Sequence, residues 1–309
     1  MLLDKPRLQA LLDAAAVSAA QGLDSRRLFH GRGQCYPGRE HIVVDFFQPV
    51  CVIIFFAEPA NGELQQLLNE LTPLMPTPVD TIVVQRRYLE GSPSEVLRGQ
   101  IPDVWCAQRG ELRFSLSLDR QQNLGYFLDM EPGRVWLESI CAGKKVLNLF
   151  AYTCAFSVVA VAAKAEQVVN VDMSKAALAR GRHNHQINDL DKRNSGFLPE
   201  QILKSWSRVK KPGPYDIVIL DPPSFQKGSF VASRDYAKLI KRLPELMPAG
   251  GEVLACLNAP ELPVNFLSDL FAQYCPGAKL IERLPASKDF PDRHPDRQLK
   301  LTHWRVEAA

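Results

Sequence analysis

Hydrophobic positions follow two different rhythms along the chain. Leu8, Leu11, Leu12, Ala15 and Ala16 recur at helical spacing ahead of Gly22, which predicts an opening helix over 1–22. Between 26 and 115 the apolar residues gather in short runs at 42–47, 50–57, 81–85 and 112–118. These runs are rich in β-branched and aromatic side chains and are separated by Gly and Pro. One helical stretch, 63–74, interrupts them with Leu64, Leu67, Leu68 and Leu71, and the proline-rich 73–78 reads as a loop. Residues 1–115 are therefore expected to form a small, strand-rich α+β domain. From 131 onward strand and helix alternate. Strands are predicted at 145–150, 167–172, 216–220, 252–257 and 299–305, with helices at 155–164, 175–188, 235–246 and 261–274. Such alternation predicts a doubly wound α/β domain over 116–309, with parallel strands and helices on both faces.

In a sheet of this kind ligands bind outside the carboxyl ends of the strands. The first predicted strand runs out through Asn148, Phe150, Ala151, Tyr152 and Thr153 into a helix, a turn that offers backbone N–H groups to a ligand. The second ends in Asp172. An acid there can accept from both hydroxyls of a ribose, and it can equally be a helix cap or turn residue. No Gly-x-Gly-x-x-Gly sequence lies in the first turn, which disfavours a dinucleotide pyrophosphate and favours a nucleoside without phosphates. The third strand runs into Asp221-Pro222-Pro223-Ser224-Phe225. Two prolines remove two donors and stiffen the exit, Asp221 is biased to extended backbone, and Phe225 offers a flat apolar face. Together they would give a planar base acceptors and a stacking surface. A proline-terminated strand with a core phenylalanine is the plainer alternative.

Composition narrows the picture only slightly. With 309 residues, 46% hydrophobic and 23% charged, the chain has too much apolar content to be mainly disordered. No apolar run approaches the roughly 20 residues a bilayer demands. Asp4, Lys5 and Arg7 interrupt any signal-like pattern early, and the seven cysteines show no Cys-x-x-Cys pair. These features predict a cytoplasmic protein with reduced thiols, no metal and no membrane partner. Residues 1–115 hold 11 Lys+Arg against 13 Asp+Glu; of totals of 37 and 34, this leaves 26 against 21 for the remainder. The basic excess of the second part permits a polyanionic partner.

The order of the motifs resembles the class I S-adenosylmethionine (SAM)-dependent methyltransferases. More narrowly it resembles the bacterial large-subunit ribosomal RNA methyltransferases of the RlmI and RlmK/L kind. Asn-Leu-Phe-Ala-Tyr-Thr-Cys-Ala-Phe at 148–156 is similar to that family's first motif, and Val171-Asp172-Met173-Ser174 to its second. Asn184, Asn188 and Leu190 match its Asn-x-x-x-Asn-x-Leu helix end, residues 221–225 its Asp-Pro-Pro motif, and 122–129 its Gly-(Leu/Tyr)-(Phe/Tyr)-Leu-Asp stretch. The likeness covers about residues 112–309 and, more loosely, the small N-terminal domain. It implies a Rossmann-like methyltransferase sheet beside the smaller α+β domain, with SAM as cofactor. It implies cofactor contacts from Phe127, Asn148, Phe150, Ala151, Tyr152, Thr153, Asp172, Met173, Ser174, Gln201 and Asp221. Asp221, Pro222, Pro223 and Phe225 would be the catalytic set, with Asn258, Phe225 and Lys227 on the substrate. The sequence departs from the family at three places. Cys154 stands where Gly is usual, which narrows the space beside the methionine moiety. Leu124 replaces a usual Thr. Gln201 replaces an Asp that accepts from the adenine amino group, although its own oxygen can still accept.

The resemblance also bears on the acceptor atom. In the RlmI type a cysteine seven residues after a Gly-Gly pair is the nucleophile for cytosine carbon-5. Here the pair is Gly250-Gly251, the corresponding position is Asn258, and Cys256 lies two residues earlier in an apolar strand. Asn258 resembles the RlmK pattern, whose acceptor is a guanine ring nitrogen. The expected activity is methylation of a base in RNA, at a guanine nitrogen of 23S ribosomal RNA. The alternatives are cytosine carbon-5 methylation through Cys256 and a non-catalytic RNA-binding relative. The small domain would help present the RNA, and basic residues such as Lys204, Arg208, Lys210, Arg234, Lys238 and Lys300 would hold phosphates.

Overall fold

The computed structural model describes residues 24–72, 79–118 and 123–307. The expected opening helix and the loop at 73–78 lie outside the described residues. The chain divides into two units, one of Met1–Leu128 with Lys288–Arg293 and one of Asp129–Ser287 with His294–Ala309.

The first unit is built on a sheet of β1 (Arg26–His30), β2 (Ile42–Phe47), β3 (Val50–Phe55), β4 (Thr81–Arg86) and β5 (Ser94–Arg98), in that order. Neighbours run antiparallel except β3 and β4, which are parallel because the helix α1 (Glu63–Leu71) carries the chain back between them. One face packs Ile42, Val44, Phe46, Ile53 and Phe55 against Leu67 and Leu71 of α1. On the other face Phe47 meets Trp105, whose indole N–H donates to the Phe47 carbonyl at 3.1 Å. Trp105 leads into the hairpin β6 (Cys106–Arg109) and β7 (Leu112–Ser115). Burial on both sides explains why β3 reads as an unbroken apolar run and β2 as one broken only by Asp45, which Arg27 holds. The half-exposed β1, β5 and β6 carried no such pattern.

The residues after β7 stay with this unit. The Leu116 N–H donates to Trp105 at 2.9 Å, Ser117 to Leu124 at 3.0 Å, and the Tyr126 ring lies 4.7 Å from Phe114. The division therefore falls at Leu128, not at the 115 suggested by the change of rhythm. Lys288–Arg293 also returns here. Asp289 accepts from Arg26 at 2.6 and 3.2 Å, and a Cβ on Gly33 would lie 1.8 Å from the Pro291 carbonyl oxygen. Only glycine admits that approach.

The second unit is a seven-stranded sheet. Its order is β10 (Ser195–Leu198), β9 (Gln167–Val171), β8 (Lys145–Leu149), β11 (Ile217–Leu220), β14 (Gly251–Leu257), β16 (Lys300–Val306) and β15 (Ala278–Arg283). The first five are parallel, and β16 runs antiparallel between β14 and β15. Side chains alternate between two cores. Leu147, Leu149, Val169, Val171, Val218 and Leu220 pack under α5 (Trp206–Lys210), α6 (Ala232–Ile240) and α8 (Phe266–Tyr274). Val146, Val168, Ile217 and Ile219 pack under α2 (Glu131–Ile140) and α3 (Ala155–Ala162).

Three helices differ from expectation. The helix α2 was hidden by Pro132 and Gly133, yet proline suits a first helical turn and a Cβ on Gly133 would already press on Leu254 and Phe156 at 3.2 Å. The stretch expected as one helix over 235–246 is α6 and a separate α7 (Leu243–Leu246), because Pro244 cannot continue a helix. The last helix begins at Phe266 rather than at 261, after Pro263.

The loop after β8 is fitted to α4 (Lys175–Gln186) through one glycine. A Cβ on Gly181 would sit 2.4 Å from the Cys154 Sγ. Cys154 itself holds φ at 62°, a conformation glycine adopts freely. Gly181→Ala is expected to destabilise the protein by about 1–3 kcal/mol through overpacking. In a Cys154→Gly background the same change should stabilise by about 1 kcal/mol, from helix propensity alone. Denaturant unfolding of the four variants checks this, and equal effects in both backgrounds would refute the steric clash.

Candidate functional site

From β8 the chain steps outward to β9 and β10, then returns to place β11 on the other side of β8. That reversal opens a crevice at the carboxyl ends of the strands. The register brings the candidates together there. Leu149 of β8 lies opposite both Val171 of β9 and Leu220 of β11. Phe150, Asp172 and Asp221 each follow those residues, so all three leave the sheet at one level. Asp172 and Asp221 stand two strand spacings apart, roughly 10 Å.

The loop after β8 is strained and tightly held. Phe150, Tyr152 and Cys154 have φ of 59°, 47° and 62°, left-handed backbone that costs about 1–2 kcal/mol for each non-glycine residue. The Asp172 carboxylate opposes that cost. Its Oδ2 accepts from the Tyr152 N–H at 2.9 Å and its Oδ1 from the Ser174 N–H at 2.8 Å. The Ala151 N–H donates to Val171 at 3.1 Å, and the buried Asn184 amide donates to the Thr153 carbonyl at 2.9 Å. Burial raises the Asp172 carboxyl above its usual range, and the two backbone donors work against that rise. Ser174 caps α4 by accepting from the Ala177 N–H at 3.1 Å, and Met173 is exposed beside it.

Several expected residues do other work. Asn148 is buried in the sheet, where its amide donates to Asn170 at 2.9 Å. Asn170 donates in turn to Ser157 Oγ and the Gly196 carbonyl, and Ser157 bonds the His185 ring at 3.0 Å. Asn148 thus ties β8 to β9 and is not presented at the crevice; a residue one position inside a strand end faces a core. Cys154 is also fully buried, with Ala151 and Leu178, its sulfur toward Gly181. It therefore does not narrow the cofactor side of the loop. Phe127 is exposed and belongs to the first unit. Lys300 is buried and donates to the Ala259 carbonyl at 3.3 Å, which removes it from any phosphate-binding surface. Arg208 pairs with Glu200, Lys210 with Glu245, and Arg234 and Lys238 with Asp235.

The Asp-Pro-Pro segment is anchored by residues the sequence did not single out. Tyr236 is fully buried on α6, and its hydroxyl lies 2.9 Å from the Cys256 carbonyl and 3.3 Å from that of Leu220, joining the ends of β14 and β11. Beyond Pro222 and Pro223 the chain forms a small hairpin, β12 (Phe225–Gln226) and β13 (Phe230–Val231). Phe230 is buried 5.1 Å from the Phe150 ring, and the Val231 N–H donates to Asp235 at 2.9 Å. So anchored, the hairpin leaves Phe225 67% exposed and Lys227 in its exposed turn. Burial pushes the Asp221 carboxyl up to about 7, helped by repulsion from Asp129 and opposed by Arg134, which is 2% exposed on α2. Asp129 ends the 122–129 motif, whereas Arg134 lies outside every predicted helix and no pattern drew attention to it.

At the end of β14, Asn258 is exposed while Cys256 is fully buried. Burial, with Asp221 next in weight, drives the Cys256 thiol well above its ordinary range. A cavity of about 640 Å³ lined by Gly143, Glu166 and Asn194 lies at the opposite edge of the sheet, before β8, β9 and β10 begin, away from these groups. Among the described residues no cluster of His, Cys, Asp and Glu fits a metal ion, and no helix is long and apolar enough to cross a membrane.

The crevice fits a nucleoside that carries a cationic amino-acid tail. Asp172 offers a carboxylate for a ribose diol, and the Gln201 side chain has no partner among the described residues and can accept from an adenine amino group. The first turn of α3 carries no side-chain cap, which leaves its dipole for a carboxylate. Asp221 can balance a sulfonium once ionised.

Comparison with known proteins agrees with this fit. A family model described as S-adenosylmethionine-dependent methyltransferase matches residues 26–305. A curated relative, ribosomal RNA large subunit methyltransferase I of Serratia proteamaculans, is 27% identical over 290 residues, 89% of this chain and 72% of that one. The enzyme of the same name from Yersinia pseudotuberculosis is 28% identical over 284 residues, covering 87% and 71%. A Streptococcus mutans structure described as a SAM-dependent methyltransferase superposes with a TM-score of 0.81 at 24% identity, over 97% of this chain and 80% of that one. Another methyltransferase structure, complexed with S-adenosylhomocysteine, gives 0.83 at 24% identity, over 99% and 83%. With its motifs gathered on one edge of this sheet, and the family model aligned along most of its length, the chain belongs to the S-adenosylmethionine-dependent methyltransferases.

Proposed function

We propose that the protein methylates a base in RNA, and that the acceptor is a ring nitrogen of guanine in 23S ribosomal RNA. The curated relatives named above support the RNA substrate. The choice of atom rests on one observation: Cys256 is buried in an apolar core with its thiol pushed well above the usual range, while the exposed end of the same strand carries Asn258. Methylation at cytosine carbon-5 needs a thiolate that can reach the base. A guanine nitrogen needs none, because its own lone pair forms the new N–C bond as the C–S bond breaks. The inward-facing Cys154 and the unpartnered Gln201 also remove the motive for reading the chain as a relative without catalysis.

Bound SAM supplies an electrophilic methyl group on a sulfonium sulfur. The chain's own task is positioning and charge balance. Asp172 holds the strained loop and would take the ribose hydroxyls, with Gln201 on the adenine. Tyr236 fixes the ends of β11 and β14 relative to each other, and so the spacing between Asp221 and Asn258. Phe225 presents its face to a base, and Lys227 stands in the adjoining turn for a phosphate. The first unit would present the RNA. Asp221 accepts from a base N–H most strongly when ionised. Because its value in the folded protein lies above the ordinary carboxyl range, folding favours the protonated form, and this contribution to stability is lost as pH rises from about 4 to about 7.

Two outcomes test the proposal. Unmodified 23S ribosomal RNA incubated with the enzyme and SAM should yield methylguanosine on nucleoside mass spectrometry, with Cys256→Ser as active as wild type. The appearance of 5-methylcytidine, lost in Cys256→Ser, would establish the other chemistry. Second, kcat/KM for SAM should rise with pH to a plateau with a midpoint near 7. Asp221→Asn should remove the midpoint and lower kcat/KM by roughly 10²–10³-fold. A wild-type profile flat from pH 6 to 8 would contradict the role given to Asp221.

A further inference from the structure

The ion pairs of Arg208, Lys210, Arg234 and Lys238 leave one face of the second unit positive. Residues 200–211 and 234–245 together hold eight Lys and Arg against three Asp and Glu, in a chain that holds 37 against 34. Elsewhere the balance is therefore 29 against 31, so the basic excess of the sequence sits in these two segments.

The fold brings the two segments together. β10 ends at the carboxyl edge of the sheet and β11 starts at the amino edge, so α5 lies on a crossing of the face between them. α6 and α7 make the same kind of crossing from β11 to β14. The crossings meet at Glu245 of α7, whose two oxygens accept from Lys210 at 2.6 Å and from Arg242 at 2.9 Å. The Arg242 guanidinium lies 5.7 Å from the centre of the Trp206 ring on α5, and the Lys241 ammonium 4.2 Å over Tyr274 on α8. Arg234, Lys238 and Lys241 follow at helical spacing, on one side of α6 and its cap over roughly 10 Å.

The carboxylates are outnumbered at their own positions. Asp235 is shared by Arg234 at 2.8 Å and Lys238 at 2.7 Å, Glu245 by Lys210 and Arg242, and Glu200 is taken by Arg208. Arg234 donating to Asp235, and Lys210 donating to Glu245, hold those carboxyls below their usual range, so both stay ionised and are already engaged. Lys204, Lys211 and Lys241 are exposed, and none has a carboxylate partner among the described residues.

We propose that the face formed by α5, α6 and α7 binds the phosphodiester backbone of the substrate RNA beside the crevice, with Lys204, Lys211 and Lys241 as its phosphate contacts. Both segments start from the crevice edge: 200–204 follows the end of β10 and includes Gln201, and α6 follows the hairpin that carries Phe225 and Lys227. A strand whose base lies over Phe225 thus has cations next to it on this face. Ammonium groups on flexible stems suit backbone contacts, which need charge more than a fixed orientation. The paired cations hold the helices to one another and add to the potential. The inference rests on the RNA reading given above and assigns the surface along which that RNA lies.

Filter binding of unmodified 23S ribosomal RNA to the full chain, over a potassium chloride series, tests it. In the triple variant Lys204→Gln, Lys211→Gln, Lys241→Gln no carboxylate loses a partner. Its slope of log affinity against log salt should shrink by about 2.1–2.7, because each phosphate no longer neutralised removes roughly 0.7–0.9. Arginine at the same three positions should keep the slope. So should Lys144→Gln, Lys164→Gln, which removes two exposed lysines just before β8 and β9. Calorimetry with S-adenosylhomocysteine should be unchanged in all three variants, which reads the crevice separately. A wild-type slope in the triple glutamine variant would overturn this inference alone. An arginine variant that behaves like the glutamine variant would also overturn it, as would a slope lowered in the Lys144, Lys164 variant in proportion to its lost charge. Absence of salt-dependent RNA binding by the wild type would overturn it together with the RNA reading.

Discussion

One carboxylate fastens the functional edge of the sheet. Asp172 accepts a backbone N–H from the loop that follows β8 and another from its own turn into α4. Three non-glycine residues of the first loop sit in left-handed backbone, a total of about 3–6 kcal/mol at the usual cost for each. The loop keeps that shape because its neighbours over-determine it: Asp172 from β9, Asn184 from α4, and the space over Gly181 that receives the Cys154 side chain. The strain is located where a nucleoside would lie, and the parallel register sets Asp221 at the same level. Shape, charge and position at this edge thus depend on how β9 is paired with β8.

A second layer of support fixes the side of the crevice proposed for the substrate. Tyr236 joins two strand ends from beneath, Asp235 receives the amide of Val231, and Phe230 plugs the hairpin into the core. With these anchors in place Phe225 remains exposed on a rigid base, not on a free loop. The charges follow the same logic. Asp221 is pushed up to about 7 by burial and Asp129, so its ionisation lies in the range where a cation or a base N–H can tip it.

Much of this was legible in the sequence. Buried parallel strands announce themselves as short apolar runs, and the motifs at their ends were found because ligands collect there. Asn148 shows the limit of that reasoning: a motif records which residues recur, not which way each one faces, and this amide is spent inside the sheet on Asn170. Arg134 and Tyr236 were illegible because their roles exist only across the fold, between α2 or α6 and the ends of distant strands. The return of Lys288–Arg293 to the first unit joins segments far apart in the chain, sealed by the missing side chain of Gly33, and no local pattern encodes it.

The most direct measurement is a crystal structure of the complex with S-adenosylhomocysteine. The account predicts both ribose hydroxyls within hydrogen-bond distance of the Asp172 carboxylate, the adenine beside Gln201, and the sulfur on the side of Asp221. A nucleoside bound elsewhere, or a ribose held without Asp172, would contradict it.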